Sequence, residues 1–303
     1  MTADPLLVFP TLPPEQVATA EFAMRYDDVD QEARLKCGSA ANSLGPAVWA
    51  TLLNKHPVAH WGWKTLVLPV LSRLLVERGD GPLSVRKPLV TKGALDFAHV
   101  VGKEPGSVDR IIAAMWVELE GAVGLTNGPK PPNAGEPILA ARIYGEHVLT
   151  AVFAAAGQRK VQALGAEGFP SVPPRVYEAP PLELYASPPA GATLIGEPML
   201  SEPHLFGLVH TDANRHVNSL VYPTLFEAHA LACLAAHRET KPRLARFLEL
   251  GFRRPFFAGE RARIRTQLFR DAQGALGAAA TMEPMEGKDG APPKPSTYAR
   301  LRF

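Results

Sequence analysis

The hydrophobic pattern predicts the same series of elements twice along the 303-residue chain. In each half, a helix candidate precedes three segments with the alternation or the short apolar run that is typical of strands. The matching segments are 40–53 and 220–237 for the helices, and 94–101 and 261–269, 111–119 and 275–282, and 138–144 and 297–303 for the strands. Because the order of the elements recurs, we expect an internal duplication.

A short motif supports the duplication. The strings Arg-Lys-Pro-Leu-Val in the first half and Arg-Arg-Pro-Phe-Phe in the second precede the alternating segments, and each is followed by a glycine, Gly93 or Gly259. A proline at a strand edge followed by a glycine predicts a strand, a turn and a second strand. We expect this arrangement in both halves.

The second helix candidate, 220–237, is apolar on nearly every face. Such a helix is buried and does not lie on a surface. A curled antiparallel sheet around the helix would bury it. We therefore predict an α+β fold with one such unit in each half.

Proline is the unusual component of the composition. The chain contains 30 prolines, and nine of them lie between 166 and 204. Since proline fixes φ and removes a donor, this stretch forms neither a helix interior nor a central strand. It is either a semi-rigid spacer or an ordered flap over one domain. The predicted organisation is an N-terminal extension at 1–20, a first unit at 21–165, a proline-rich linker at 166–195 and a second unit at 196–303.

Charge and cysteine content exclude several classes of protein. The net charge of +2 provides no cation surplus for bulk nucleic-acid binding. The two cysteines form no disulfide framework, and their surroundings lack metal-ligand spacing. No apolar stretch has the roughly 20 residues of a membrane span, and the first residues lack the basic region of a secretory signal. We expect a soluble cytoplasmic protein without a membrane segment.

Polar residues concentrate immediately before the second helix candidate. Asp212, Asn214 and His216 alternate along the chain, which in an extended segment directs the three side chains to one side. They would lie beside the positive end of a helix, whose first N–H groups lack partners. This suits a reaction in which a carbonyl oxygen gains negative charge while a carboxylate or an imidazole activates water. Asp and Asn before a helix are equally typical of caps and turns, so both interpretations stay open.

The string Asp-Ala-Asn-Arg-His-Val-Asn at 212–218 resembles the Asp-x-Asn-x-His-Val-Asn signature of the acyl-acyl-carrier-protein thioesterases, which have the hotdog fold. Tyr222 and Glu227 are similar to a further pattern in related acyl-CoA thioesterases. The resemblance covers roughly 197–303. It implies two tandem hotdog units, each with an antiparallel sheet around a long central helix, that pair within the chain as a pseudo-dimer. A homodimer of the chain is also compatible with it.

The resemblance further implies an enzyme, a thioesterase. The substrate would be an acyl thioester of coenzyme A or of an acyl carrier protein, hydrolysed to a free acid and a thiol without a cofactor or a metal. Asp212 would act as general base or nucleophile, Asn214 would orient substrate or water, and His216 would assist as base or hydrogen-bond donor. Glu227 is a second catalytic carboxylate candidate, since a buried carboxylate must be paired, hydrogen-bonded or neutral.

Three further residues would bind the substrate by the same resemblance: Asn218, Ser219 and Tyr222. The donors to the developing oxyanion would be backbone N–H groups in 218–220. The active site would lie where the two units pair, near the amino end of the helix. The first unit would then supply one wall of the acyl pocket.

The first half departs from the signature. Asp30 matches the aspartate, but no Asn-x-His-Val-Asn follows, and Ala40 and Gly45 stand where the tyrosine and the glutamate would be. We therefore expect at most one working site per chain, in the second half. Two rival functions stay open: a hotdog hydratase or dehydratase of enoyl or hydroxyacyl thioesters, and a non-catalytic acyl-binding protein. Arg215 stands where the hydratase branch has a proline, which disfavours that branch.

Two weaker signals concern surface and metal chemistry. Arginines alternate with less polar residues along 261–265, and this row could contact coenzyme A phosphates or an acidic carrier, although a solvated sheet face is favoured. His56 and His60 are four residues apart, and Pro57 between them is expected to break the helical geometry of a metal site.

Overall fold

The structure is a computed structural model that describes residues 4–125, 127–178, 180–239, 244–286 and 293–303. Its contacts divide the chain into two units. The first comprises the chain up to Leu35, Ala40–Leu74 and Gly79–Pro180. The second comprises Lys36–Ser39, Leu75–Arg78 and Pro181–Phe303. None of the helices among these described residues is long and apolar enough to cross a membrane.

Five long strands form the sheet of the first unit. They are β1 (Val17–Phe22), β2 (Val67–Arg78), β3 (Leu89–Val101), β4 (Val108–Ala122) and β5 (Pro137–Ala151), and a short β6 (Arg175–Val176) pairs parallel to β3. Their spatial order is β1-β3-β4-β5-β2, and the pairs from β1 to β5 are antiparallel. The sequence analysis did not predict β2. Buried and exposed positions do not alternate along this strand, so it lacks the alternation of apolar and polar residues that indicates a strand.

The second unit repeats this arrangement. Its strands are β7 (Thr193–Leu200), β8 (His204–Leu205), β9 (Phe247–Phe252), β10 (Arg261–Arg270), β11 (Leu276–Pro284) and β12 (Thr297–Arg302). The order is β9-β12-β11-β10-β7, with β8 beside β10. Read from the opposite edge, the order is β7-β10-β11-β12-β9, so β7, β9, β10, β11 and β12 take the places of β1, β2, β3, β4 and β5. The predicted duplication and the α+β class, two tandem hotdog units, are confirmed.

Helix α3 (Val221–Ala236) packs on the sheet of the second unit, chiefly through β10. Its buried residues include Tyr222, Phe226, Ala230 and Cys233. The prediction of burial on every face is wrong for one stripe, whose members are exposed: Thr224, Ala228, Ala232 and Ala235. These side chains are small, so the stripe leaves little apolar area in water.

The helix expected over 40–53 is present in the first half, but it is irregular. It consists of α1 (Cys37–Asn42), a wide π-helical segment (Gly45–Leu52) and a 3₁₀ turn (Leu53–Lys55), and α2 (Pro57–Thr65) follows. The wide segment begins at Gly45 and Pro46, because glycine is a weak helix former and proline lacks the N–H that continues a regular helix. Pro57 begins α2 at a position where its missing N–H costs nothing, and His56 caps that helix by accepting from the Val58 N–H at 3.2 Å.

Gly93 lies inside β3 and not in a turn, which corrects the prediction for the first half. A Cβ at this position would lie 2.8 Å from the Ala47 Cβ and 2.9 Å from the Val48 Cγ2, so the glycine admits the wide helical segment. In the second half the predicted turn is present: β9 ends at Phe252, and Gly259, with φ of +91°, precedes β10.

The proline-rich segment is partly buried and divides between the two units after Pro180. Tyr177 and Tyr185 are 7% and 3% exposed. Arg175 pairs with Asp96 at 2.5 Å. The boundaries differ from the expected ones at two points, because β1 begins at Val17 within the expected extension and β7 begins at Thr193 within the expected linker.

Short 3₁₀ turns complete the chain. They are Pro5–Leu7, Pro14–Gln16, Tyr26–Asp28, Leu53–Lys55, Ala156–Gln158, Leu182–Ala186 and Leu208–His210. Two of them, Tyr26–Asp28 and Leu208–His210, occupy the same place in the two units, just before the loop that leads into the helical segment.

Candidate active site

The residues predicted to carry the chemistry lie on a tight loop, and the expectation of an extended segment is wrong. Thr211 and Val217 pair as an isolated antiparallel bridge. Inside it, the Asp212 N–H donates to the His216 carbonyl at 3.2 Å, and the Arg215 N–H donates to the Asp212 carbonyl at 2.9 Å. Arg215 has φ of +65°. Asp and Asn side chains favour such turns because they bond to nearby backbone.

The turn places Asp212 and His216 opposite each other in the backbone. The Asp212 N–H donates to the His216 carbonyl, and directly opposed residues of an antiparallel pair have Cβ atoms about 5 Å apart. Within the described residues, their side chains form no hydrogen bond or ion pair with each other. Both side chains are half-buried. Asn214 lies at the exposed tip, where its N–H donates to the Asp212 Oδ1 at 2.8 Å. One carboxylate oxygen thus holds the turn, and Oδ2 contacts no donor among the described residues.

Hydrogen bonding defines which nitrogen of His216 can accept a proton. Its Nδ1 lies 3.2 Å from the Val217 carbonyl oxygen, which accepts and cannot donate. Nδ1 therefore carries the proton in the neutral ring, and Nε2 keeps its lone pair. An imidazole held in this tautomer is suited to take a proton from water.

The first turn before α3 leaves one amide available. The Asn218 Oδ1 accepts from the Leu220 N–H at 2.8 Å, and the Asn218 carbonyl accepts from the Val221 N–H at 3.0 Å. The Asn218 N–H donates to the His210 carbonyl at 2.9 Å. The Ser219 N–H donates to no acceptor in the described part of the chain. It lies at the positive end of the helix, where a developing anion is stabilised.

Tyr222 lies in the core of the second unit and is 2% exposed. Its hydroxyl accepts from the Phe256 N–H at 3.3 Å, and its ring packs near Phe206 and Phe252. Burial raises the pKa of Tyr222 to about 12. The contacts of Tyr222 therefore fix α3 to the turn between β9 and β10.

Glu227 is 5% exposed and belongs to a polar network around the peptide of Ala245. Its Oε1 accepts from the Ala245 N–H at 3.1 Å, while Arg78 donates to the Ala245 carbonyl at 3.2 Å. Burial, and secondarily the nearby Glu227 carboxylate, raise the pKa of the Cys37 thiol. The Ala245 N–H, immediately before β9, thus supplies a hydrogen bond to this buried carboxylate.

The first unit contains the same loop. Val29 and Leu35 form the bridge, the Asp30 N–H donates to the Arg34 carbonyl at 2.9 Å, and the Ala33 N–H donates to the Asp30 carbonyl at 2.9 Å. Ala33 has φ of +56°, like Arg215 in the second unit. The backbone hydrogen bonds of the two loops correspond one to one, so Asp30 is the structural counterpart of Asp212.

The two loops differ in their side chains. The counterparts, first half of the chain then second half, are Asp30 and Asp212, Glu32 and Asn214, Arg34 and His216, Lys36 and Asn218, and Cys37 and Ser219. Arg34 and Glu32 form an exposed ion pair at 3.6 Å. The Asp30 Oδ1 accepts from both the Glu32 and the Arg34 N–H. The first loop keeps the turn-forming aspartate and lacks the imidazole and both amides.

Two further groups complete the polar inventory. Arg261 and Arg265 are exposed and Ile264 between them is buried, as for a solvated sheet face, and Arg265 lies 3.8 Å from Glu283. His210, which sequence reasoning missed, accepts from the Gly207 N–H through its Nδ1 at 2.9 Å. At the counterpart position, the Asp28 Oδ2 accepts from the Arg25 N–H at 2.7 Å. This shared role is visible only when the structures of the two loops are compared. The described residues contain no cluster of three or more His, Cys, Asp or Glu that could hold a metal.

Solved structures share this fold. An acyl-ACP thioesterase from Bacteroides thetaiotaomicron matches with a TM-score of 0.52 and 12% identity, over 95% of this chain and 98% of that chain. A Lactobacillus plantarum protein assigned as an oleoyl thioesterase matches with a TM-score of 0.59 and 10% identity, over 94% of each chain. No protein-family model and no curated protein sequence matches the chain. The hotdog resemblance is thus confirmed at the level of the fold, which this chain shares with thioesterases.

Proposed function

We propose that the chain is a thioesterase that hydrolyses an acyl thioester of coenzyme A or of an acyl carrier protein. One observation carries the proposal: Asp212 and His216 lie opposite each other in the backbone of a turn that leads to the amino end of α3. A carboxylate and a correctly protonated imidazole beside an unpaired amide are the groups that an acyl-transfer reaction to water needs. The shared fold with two thioesterases supports the proposal.

In the proposed reaction, the His216 Nε2 takes a proton from a water molecule as the water oxygen attacks the thioester carbonyl carbon. Asp212 stabilises the imidazolium across the turn, and Asn214 orients the water or the substrate. The Ser219 N–H donates to the carbonyl oxygen while that oxygen carries negative charge. The carbon–sulfur bond then breaks, and the proton passes from His216 to the departing thiolate, which leaves a free acid and a thiol.

Glu227 and Tyr222 have supporting roles in this proposal. Their polar atoms bond to the backbone of Ala245 and Phe256, and both side chains are almost fully buried. They hold α3 in the sheet and thereby hold Ser219 at the loop. We therefore expect their replacement to lower the stability of the fold before it changes the chemistry.

The sharpest test exchanges the carboxylate for its isosteric amide. Asp212→Asn keeps the Oδ1 that accepts from the Asn214 N–H but removes the negative charge. We expect kcat for thiol release from a panel of acyl thioesters to fall about 10²- to 10⁴-fold. The matched control is Asp30→Asn, the same exchange in the counterpart loop, which should leave turnover unchanged. Full activity of Asp212→Asn, or loss of activity in Asp30→Asn, would contradict the assignment.

The same panel separates the rival functions. Enoyl thioesters are included, and their absorbance is followed together with the release of thiol. Loss of the enoyl absorbance without thiol indicates a hydratase, and binding of an acyl thioester without either change indicates a non-catalytic acyl-binding protein. Either result from the wild-type chain overturns the thioesterase proposal.

A further inference from the structure

Asn218 is placed in the chain so that it shapes the amino end of α3. Its side chain accepts from the N–H two residues ahead, Leu220, and its carbonyl accepts from Val221. This is an Asx turn directly before α3, in which a side-chain oxygen bonds to the backbone N–H two residues ahead, and we call it the Asn218 cap. The Ser219 N–H lies between the two bonded residues and donates to no acceptor in the described part of the chain.

The counterpart loop separates the fold from the chemistry. At position 36 the loop in the first half of the chain has a lysine, whose side chain has no acceptor. The loop before it nevertheless keeps its bridge, its left-handed residue and its turn-forming aspartate. The cap is therefore not needed to form the loop. An asparagine at this position occurs only in the second-half loop, which also carries His216 and Asn214.

From these observations we infer that Asn218 is a positioning residue for the thioesterase reaction, which rests on the proposed function. It acts through Ser219: the cap and the bond from the Asn218 N–H to the His210 carbonyl fix the peptide between Asn218 and Ser219, and the Ser219 N–H is thereby directed at the substrate carbonyl oxygen. This role differs from direct binding of the substrate by Asn218, because the side-chain oxygen of Asn218 bonds to the Leu220 N–H and not to the substrate.

Three variants distinguish the two roles. Asn218→Ala removes the cap, and we expect kcat to fall about 10- to 100-fold with little change in KM, less than the 10²- to 10³-fold that complete loss of an oxyanion donor costs. Asn218→Ser restores a capping oxygen but not the amide N–H₂ group, and should stay within about threefold of wild type. Equal losses in the serine and alanine variants, with a raised KM, would show direct substrate binding and overturn the inference.

Ser219→Pro tests the atom through which Asn218 acts. Ser219 lies two residues before α3, and its N–H makes no hydrogen bond among the described residues, so the loss of this N–H in proline breaks no bond of the fold. We expect kcat to fall about 10²- to 10³-fold. Asn218→Ala added to Ser219→Pro should then cost little more, because the group that Asn218 positions is already gone. Additive losses in the double variant would contradict coupling through this amide. Lys36→Ala, at the counterpart position, is the control and should leave kcat unchanged.

Amide hydrogen exchange gives a readout that does not require turnover. By NMR, the Leu220 N–H should be protected in wild type and in Asn218→Ser, and should exchange faster in Asn218→Ala. Equal protection in all three proteins would show that the Asn218 side chain does not hold the Leu220 N–H, and would overturn the inference even in a chain that hydrolyses none of the thioesters. An inactive wild type with the expected exchange pattern would instead contradict the proposed function alone.

Discussion

At position 216 the second unit carries an imidazole where the first unit, at position 34, carries a guanidinium. Arginine stays protonated in proteins and cannot accept a proton from water. The Arg34 side chain instead pairs with Glu32. The side chains at this position therefore differ in whether they can accept a proton, although the two turns share these backbone hydrogen bonds.

His147, on β5 in the first unit, is a residue where pH should affect stability and not chemistry. It is 4% exposed, packs edge-on against Trp49, and burial lowers its pKa to about 4. The folded state thus binds the proton more weakly than the unfolded state, whose histidine titrates near 6.5. Its contribution to stability is complete above pH 6.5 and is lost as the pH falls toward 4.

We expect the wild-type chain to lose about 2 kcal/mol of unfolding free energy from this residue between pH 7 and pH 5. His147→Phe keeps an aromatic ring against Trp49 and removes the titration. Urea denaturation of both proteins at the two pH values measures the difference, which isolates His147 from the other histidines. An identical pH dependence in the two proteins would show that His147 does not titrate in this window.

Spacing in the sequence singled out Asp212, Asn214 and His216 as candidates but did not predict their geometry. Residues two apart share a face in a strand, and residues four apart also face each other across the neck of a tight turn. The periodicity of the sequence does not distinguish a strand from a tight turn here. The left-handed conformation of Arg215 decides it, and arginine gives no sign of that conformation. The tautomer of His216 likewise depends on a carbonyl whose direction only the fold defines.

At the scale of elements, the helical segment of the first half differs from the regular helix that its apolar pattern predicts. The apolar run over 40–53 was correctly recognised as helical, but Gly45 and Pro46 convert its second part into a wide segment that packs against β3. The close approach needs a residue without a side chain at Gly93. A sequence pattern reports such a glycine as a turn, because the partner that requires it lies far along the chain.

Gly93→Ala tests that approach. The added Cβ would lie within 3 Å of two side-chain carbons and 3.3 Å from the Ala47 carbonyl carbon, and overpacking of this kind costs about 1–3 kcal/mol. Gly157→Ala is the control, because its Cβ would meet nothing within 4 Å. Chemical denaturation of the two variants should show a loss of stability for Gly93→Ala alone. Equal stability would mean that the wide segment moves aside without cost.

At the scale of the whole chain, an ion pair joins equivalent strands in both units, with the charges exchanged; both carboxylates and Arg73 are buried, and the Arg300 side chain is 23% exposed. In the first unit, Arg73 on β2 faces Glu146 on β5 at 3.4 Å. In the second, Glu249 on β9 faces Arg300 on β12 at 2.5 Å. Tyrosines of the proline-rich segment approach both pairs, Tyr177 beside Glu146 and Tyr185 under the Arg300 guanidinium. The repeated order of elements was visible in the sequence, but this reversal was not, because it depends on strand pairing.

Arg73→Met measures what the buried pair contributes. It leaves Glu146 without its guanidinium partner, and an uncompensated buried charge costs about 3–5 kcal/mol. The double variant Arg73→Met with Glu146→Leu removes both charges and should recover most of that loss. Urea denaturation of the wild-type chain and both variants gives the comparison. A double variant no more stable than the single one would show that the bond from Arg73 to the Pro180 carbonyl, at 2.7 Å, matters more than the pair.

Both cysteines of the chain, Cys37 and Cys233, are fully buried, and burial raises the pKa of each thiol, that of Cys233 to about 11. Because the thiolate is the nucleophile, a chromogenic disulfide reagent should leave the folded protein unlabelled. The colour that develops in a thiol-release assay then counts product sulfur without a protein background. Once the chain is denatured, the same reagent would titrate two sulfhydryls per molecule and so report the loss of the native state.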